Sequence, residues 1–222
     1  MLLYIACPVI GIFGGTFDPV HYGHIEPVLS VKQGLGLTQI RFIPNNVPPH
    51  RTAPWLSAEQ RLSLLQTALK DCLDAVIDQR ELNRDGVSYM VDTLESLNKE
   101  FSEHGICLII GMDAFLEITN WHQWKRLFEL CHLVVTTRPG FEQDLIAEQM
   151  SAENYQFLAS RMTQDVKMLN RQGVGKILLQ AVPQLDISST QIRAKLSDGE
   201  DISQWMPADV YQKLRGFINE GR

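Results

Sequence analysis

The densest chemistry in the chain lies between Gly11 and His24, in "GIFGGTFDPVHYGH", where four glycines, a proline and two histidines follow an apolar run. Glycine and proline weaken strands and helices, so their concentration means that the backbone turns sharply or approaches something closely. With no Cβ in the way, Gly14 and Gly15 let backbone N–H groups reach an anion, and a helix starting behind them turns its positive end to the same anion. That is a phosphate cradle. The glycines stand at 11, 14 and 15, which matches neither G-x-G-x-x-G nor the Walker pattern, since no G-K-[ST] follows. His21 and His24, three apart, share a helix face that Gly23 keeps uncrowded, and two imidazoles aimed at one point suit a triphosphate. The plain alternative is a glycine turn carrying two surface histidines. Zinc is disfavoured, because two close histidines without H-E-x-x-H or a nearby cysteine fall short of three or four ligands.

A second group stands near the other end, in "ISSTQIR", Ile187 to Arg193. It follows an apolar run and opens a helix, with Ser188, Ser189 or Thr190 as caps and Arg193 within two turns of them. Hydroxyls, free N–H groups and one guanidinium again converge on an anion site. Taken alone, this is also what an ordinary capped helix looks like.

The elements that must position these groups are visible as short apolar runs: "YIACPVIGIF", "IRFIP", "DAVID", "ICLIIG", "HLVVTT" and "KILLQAV". Helical periodicity fills the gaps, as in "SAEQRLSLLQTALK", where Ser57 and Gln60 form a capping-box pattern, and "SYMVDTLESLNKEF", which Ser88 can cap. Strands alternating with helices predict an α/β fold with a doubly wound parallel sheet and helices on both faces. Ligands bind such sheets at the carboxyl ends of the strands, where the first loop lies. Residues 44 to 54, "PNNVPPHRTAP", contain four prolines, and they follow the second strand as a rigid loop on the same rim. The stretch from about 141 to 171 is polar and helix-prone, an insertion in one domain spanning 1 to 222.

With 222 residues and 45% hydrophobic content the chain can bury a sizeable core. Its 26 acidic and 20 basic residues leave a net charge of -6, which argues against a general nucleic-acid or anionic-membrane surface. Anionic ligands must then be held by local positive groups. Cys7, Cys72, Cys107 and Cys131 show no C-x-x-C spacing and read as reduced core residues of a cytoplasmic protein. The start "MLLYIACPVI" lacks a basic n-region and reads as the first strand rather than a signal peptide.

"GGTFDPVHYGH" together with "ISSTQIR" resembles the nucleotidyltransferase superfamily with H-x-G-H and I-S-x-T-x-x-R motifs. More closely, through "FIPNNVPPHR", "RELNRDGVSYMVDTL", "LIIGMDAFLEITNWHQW" and "HLVVTTRPG", the chain is similar to bacterial nicotinate-nucleotide adenylyltransferases. The resemblance implies a Rossmann-like fold and joining of nicotinate mononucleotide to ATP, with release of pyrophosphate. It implies His21, His24 and Arg193 as catalytic groups at the triphosphate. Gly14, Gly15, Thr16, Phe17, Gly111, Asp113, Ile187, Ser188 and Ser189 then complete the ATP site. Asn45, His50, Arg51, Tyr89, Met90, Trp121 and His122 form the mononucleotide site, with Trp121 stacked on the pyridine ring. Without the resemblance, Trp121 reads equally as a core tryptophan at helical spacing from Trp124. Backbone N–H groups near Tyr89–Met90 and Trp121–His122 receive the nicotinate carboxylate, although Met90 stands where relatives often carry threonine. Mg²⁺ arrives with the ATP phosphates, no metal is held by protein ligands alone, and Asp18 either meets that ion's water shell or shapes the turn before Pro19. The implied partners are these small molecules alone, in a monomer or small homo-oligomer. Alternatives are another phosphorylated acceptor such as nicotinamide mononucleotide or phosphopantetheine, a class I aminoacyl-tRNA synthetase core lacking its lysine motif, or a silent nucleotide sensor.

Overall fold

The computed structural model describes residues 8–47, 53–138, 141, 145–169, 173–183 and 185–220. The strands are β1 (Val9–Gly15), β2 (Gln39–Pro44), β3 (Ala75–Ile77), β4 (Gly105–Gly111), β5 (His132–Thr137), β6 (Met162–Thr163) and β7 (Ile177–Ala181). The helices are α1 (Tyr22–Leu35), α2 (Ala58–Leu69), α3 (Met90–Glu100), α4 (Met112–Leu116), α5 (Trp124–Leu130), α6 (Leu145–Glu148), α7 (Ala152–Ala159), α8 (Ser189–Ser197) and α9 (Ala208–Glu220). All strand pairings are parallel, in the order β3-β2-β1-β4-β5-β7-β6.

Parallel strands covered on both faces need apolar side chains on both, and the strands here are nearly continuous apolar runs for that reason. Alternation then sorts the residues. Ile40 and Phe42 of β2 and Cys107 and Ile109 of β4 join Val28 and Val31 of α1, Leu64 and Leu65 of α2 and Val210 and Leu214 of α9 in one core. Ile10 and Ile12 of β1 and Ile106, Leu108 and Ile110 of β4 join Leu94 and Leu97 of α3, Phe115 of α4, Leu127 and Phe128 of α5 and Leu158 of α7 on the other side. The doubly wound expectation holds.

The capping box at α2 forms as its spacing requires, with the Ser57 hydroxyl accepting from the Gln60 N–H and the Gln60 side chain accepting from the Ser57 N–H. Ser88 does not cap α3. Tyr89 takes the N-cap place without a side-chain bond, and the Ser88 hydroxyl instead accepts from the Asn46 N–H across the rim. The proline loop begins one residue later than its composition suggests, because Pro44 ends β2 beside Gly15. In the 141–171 stretch lie α6 and α7, as the helical propensity indicates, and also β6, whose two residues pair with β7 at the sheet edge. Cys107 and Cys131 are buried free thiols and Cys72 is a half-buried one, while Cys7 lies outside the described residues. Burial pushes the Cys107 thiol up to about 12. Among the described residues no helix is long and apolar enough to cross a membrane.

Candidate active site

The sheet changes direction at β1: β2 and β3 build outward on one side, β4, β5 and β7 on the other. A crevice opens at the carboxyl ends of strands where the order reverses. Two cavities occupy it. The first, about 1010 Å³, is lined by Phe17, Asp18, His21, Gly23, Trp55, Arg138, Ile187, Ser188, Ser189 and Arg193 among others. The second, about 780 Å³, is lined by Gly14, Gly15, Asn45, Glu81, Tyr89, Met90, Trp121 and His122. Phe13, Thr16, His24, Gly111 and Asp113 line both, so the cavities share a wall.

His21 is the N-cap of α1 and is 3% exposed, its ring lying 3.7 Å from that of His24 at 31°. Burial holds the His21 imidazole down to about 4, so at neutral pH it is an uncharged donor. Its Nδ1 is buried without a partner. His24 stands edge-on to Phe17 at 5.3 Å, and Phe17 and Phe13 pack in turn on Phe42. A Cβ on Gly23 would come within 3.0 Å of the His21 ring and 3.1 Å of the Ile187 carbonyl oxygen. Glycine therefore lets α1 lie against the segment that leads into α8.

That segment carries the second motif. Ser188 caps α8 by accepting from the Gln191 N–H, and the Ser189 hydroxyl donates to the Pro19 carbonyl at 3.0 Å. Arg193 donates to the Asp18 carbonyl at 2.6 Å and to the Thr190 hydroxyl at 3.2 Å. The N-termini of α1 and α8 both border the first cavity, where their unpaired N–H groups and dipoles favour an anion. Arg193 and Arg138 supply the local positive charge.

In the second cavity the rings of Tyr89 and His122 stack at 4.3 Å and Trp121 is half-buried beside them. The Trp121 carbonyl accepts the Trp124 N–H at 3.2 Å, while the Trp124 ring packs against Phe128 and Phe157 at 6.1 and 5.1 Å. Two of the expected carboxylate donors are already taken: Tyr89 N–H by the Val87 carbonyl and Trp121 N–H by the Ile118 carbonyl. Met90 opens α3, so its N–H has no partner within the helix.

Most expected site residues meet here. His21, Phe17, Ile187, Ser188, Ser189 and Arg193 face the first cavity, Asn45, Tyr89, Met90, Trp121 and His122 the second, and Thr16, His24, Gly111 and Asp113 both. Gly14 and Gly15 fall on the second cavity rather than with the ATP group, because they still belong to β1 and pair with Ile43 and Pro44 of β2. A Cβ on Gly14 would approach the Met90 methyl to 2.7 Å, so the absent side chain makes room for Met90. His50 and Arg51 lie outside the described residues. Asp18 shapes the loop: its carboxylate accepts the Trp55 and Leu56 N–H groups at 2.7 and 2.9 Å and lies 3.6 Å from the Arg193 guanidinium. Arg138 and Glu81 lie within "HLVVTTRPG" and "RELNRDGVSYMVDTL" but are not singled out there, and Trp55 and Arg61 fall in none of the motifs. Arg61 interrupts the apolar stripe it shares with Leu64 and Leu65, a charged residue at a core position of α2.

A family model described as cytidylyltransferase-like matches residues 12–195. Over 208 residues, 94% of this chain and 95% of the relative, the sequence is 40% identical to a protein of Aeromonas hydrophila named "Probable nicotinate-nucleotide adenylyltransferase". The chain belongs to this family. A relative of the same name from Methylococcus capsulatus is 43% identical over 207 residues, 93% of this chain and 96% of its own. Among solved structures, Plasmodium falciparum nicotinic acid mononucleotide adenylyltransferase complexed with NaAD aligns with a TM-score of 0.70 over 95% of this chain and 96% of its own. At 15% identity that likeness concerns the fold alone.

Proposed function

We propose that this chain transfers the adenylyl group of ATP to nicotinate mononucleotide, giving nicotinate adenine dinucleotide and pyrophosphate. The observation that carries the reading is the wall shared by the two cavities, at Thr16, His24, Gly111 and Asp113. ATP in the first cavity and the mononucleotide in the second bring a phosphate oxygen against the α-phosphorus across that wall. The new P–O bond forms as the α–β bond breaks, and pyrophosphate leaves with the bonding electrons. No protein nucleophile takes part, so the chain contributes position and charge neutralisation.

His24 stands at the junction, and neutral His21 donates a hydrogen bond to the triphosphate from beside it. Arg193 spends two N–H contacts on Asp18 and Thr190, and the rest of its fork meets the departing phosphates together with the open N–H groups of α8. Gly111 and Asp113, at the end of β4, meet the adenosine. Mg²⁺ arriving on the ATP phosphates fits the first cavity, where the Asp18 carboxylate accepts two N–H groups and keeps lone pairs that can meet the ion's water shell. When bound, the ion would neutralise phosphate charge and keep most of its waters.

Trp121 offers a flat face to the pyridine ring, and the α3 N-terminus offers the Met90 N–H and a positive dipole end to the nicotinate carboxylate. A carboxamide can turn its oxygen to that one donor, so discrimination rests on the helix dipole, which favours the carboxylate charge by about 0.3 to 2 kcal/mol. A preference of about two- to thirtyfold for the acid follows. Pyrophosphate release from Mg²⁺-ATP with each mononucleotide tests both halves. Release with neither removes adenylyl transfer in favour of a silent nucleotide binder, and equal kcat/KM for both removes the acid preference.

A further inference from the structure

Arg61 is 1% exposed, among the most completely buried large side chains of the chain, and lines neither cavity. A buried guanidinium is held in a core when its donors meet acceptors that nothing else satisfies. Here one nitrogen, Nη1, donates to the Thr16 carbonyl at 2.8 Å and to the Asn45 carbonyl at 2.9 Å. Those carbonyls stand just beyond the end of the β1–β2 ladder. The two strands pair from Ile10–Gln39 to Gly15–Pro44, and a last bond runs from the Asn45 N–H to the Gly15 carbonyl. Past that point, among the described residues, no backbone rung joins the two chains, and both carbonyls accept from Arg61 instead.

The loops joined in this way carry both substrates under the proposed function. Thr16 lines both cavities and Asn45 the second. The Asn45 side chain also donates to the Thr16 hydroxyl at 3.1 Å, so the relative placement of the two residues is doubly set. Arg61 is itself aimed from one side. The Ser57–Gln60 box starts α2, the Arg61 N–H returns to the Ser57 carbonyl at 3.0 Å, and Asp18 grips the two residues that precede the box.

We infer that Arg61 is a positioning residue for adenylyl transfer: it acts as an extra rung between β1 and β2 and sets the distance between the loops on which the two reacting phosphates rest. This rests on the adenylyl-transfer reading. A displacement of about 1 Å between reacting groups lowers turnover by about 10², while each substrate, held mainly by its own cavity, binds almost as before.

The test compares Arg61→Met, Arg61→Lys and Leu65→Ala with the wild type. Leu65 is buried on the same helix and lines neither cavity, so its truncation destabilises α2 without touching the rung. Folding is checked by circular dichroism, and kcat and both KM values are measured well below the melting temperature. Expected are a fall in kcat of about 10² for Arg61→Met with KM values within about threefold, partial recovery in Arg61→Lys, and kcat within about threefold of wild type for Leu65→Ala. A folded Arg61→Met protein with the kcat of Leu65→Ala overturns the inference. Should Arg61→Met not fold, Arg61→Lys decides: a kcat at least tenfold below wild type supports the rung, and parity overturns it. A wild type that releases no pyrophosphate refutes the adenylyl-transfer reading itself, whereas an active wild type with an undamaged Arg61 variant refutes only the rung.

Discussion

Lowering the pH from 7 to 4.5 tests whether His21 is a neutral donor in the cleft. Burial holds its imidazole down to about 4, against an ordinary 6.5. Between those values the unfolded chain takes up a proton that the folded chain resists. Stability is therefore undiminished above pH 6.5 and falls as the pH drops through 6.5 toward 4. At about 1.4 kcal/mol per pH unit, a displacement of this size amounts to about 3 kcal/mol when complete and about 2 kcal/mol at pH 4.5. His132, pushed down by burial as well, adds its own acid sensitivity, so the wild type alone does not isolate His21. His21→Gln keeps an N–H donor and does not titrate, and it provides the reference. Urea unfolding of both proteins at pH 7 and pH 4.5 gives four free energies, from which titrating groups away from His21 cancel. The wild type is expected to lose about 2 kcal/mol more than the variant. For a chain of this size that is about 4 to 8 °C in melting temperature. An extra loss under about 0.5 kcal/mol refutes the burial account and leaves His21 an ordinary imidazole that a bound triphosphate can protonate.

Two further substitutions probe how closely the walls of the first cavity fit. Gly23→Ala brings a Cβ to 3.0 Å from the His21 ring and 3.1 Å from the Ile187 carbonyl, so kcat should fall by about 10² in a folded protein; turnover within threefold of wild type would mean that the segment before α8 yields freely. Arg193→Lys keeps the charge but cannot hold the Asp18 carbonyl, the Thr190 hydroxyl and a phosphate together, and kcat/KM should drop by more than about tenfold; unchanged kinetics would confine Arg193 to closing the loop.

The strands of the sheet are legible because burial on both faces requires unbroken apolar runs, and "ICLIIG" and "HLVVTT" could serve no other purpose in a parallel sheet. The glycine–histidine loop and "ISSTQIR" are legible because helix N-termini and close backbone approach demand particular residue types. Other features depend on pairings that no local pattern encodes. Ser88 has the composition of a cap, yet a bond to Asn46, 42 positions away, serves it better. Gly14 reads as room for a phosphate, and the neighbour that needs the room is Met90. The donors near Tyr89 and Trp121 are counted from the chain as open, and turns that close at Val87 and Ile118 consume them. β6 is two residues long, too short for any period to register. Arg61 alone left a trace, a charge at a core position of α2.

The bond from Arg193 to the Asp18 carbonyl joins residues 175 positions apart, and that from Ser189 to the Pro19 carbonyl joins residues 170 apart. During synthesis the glycine–histidine loop leaves the ribosome well before β7 and α8, which supply the wall that faces it. Contacts of such long range form late, after the intervening chain has given up its freedom. The first cavity is in that sense a completion mark. Under the proposed function, ATP meets both walls only in chains whose β7 and α8 have docked, and by mass action it draws the population toward those chains. On that reading ATP should stabilise the finished chain and do nothing for a fragment ending before α8, although the fragment carries both histidines.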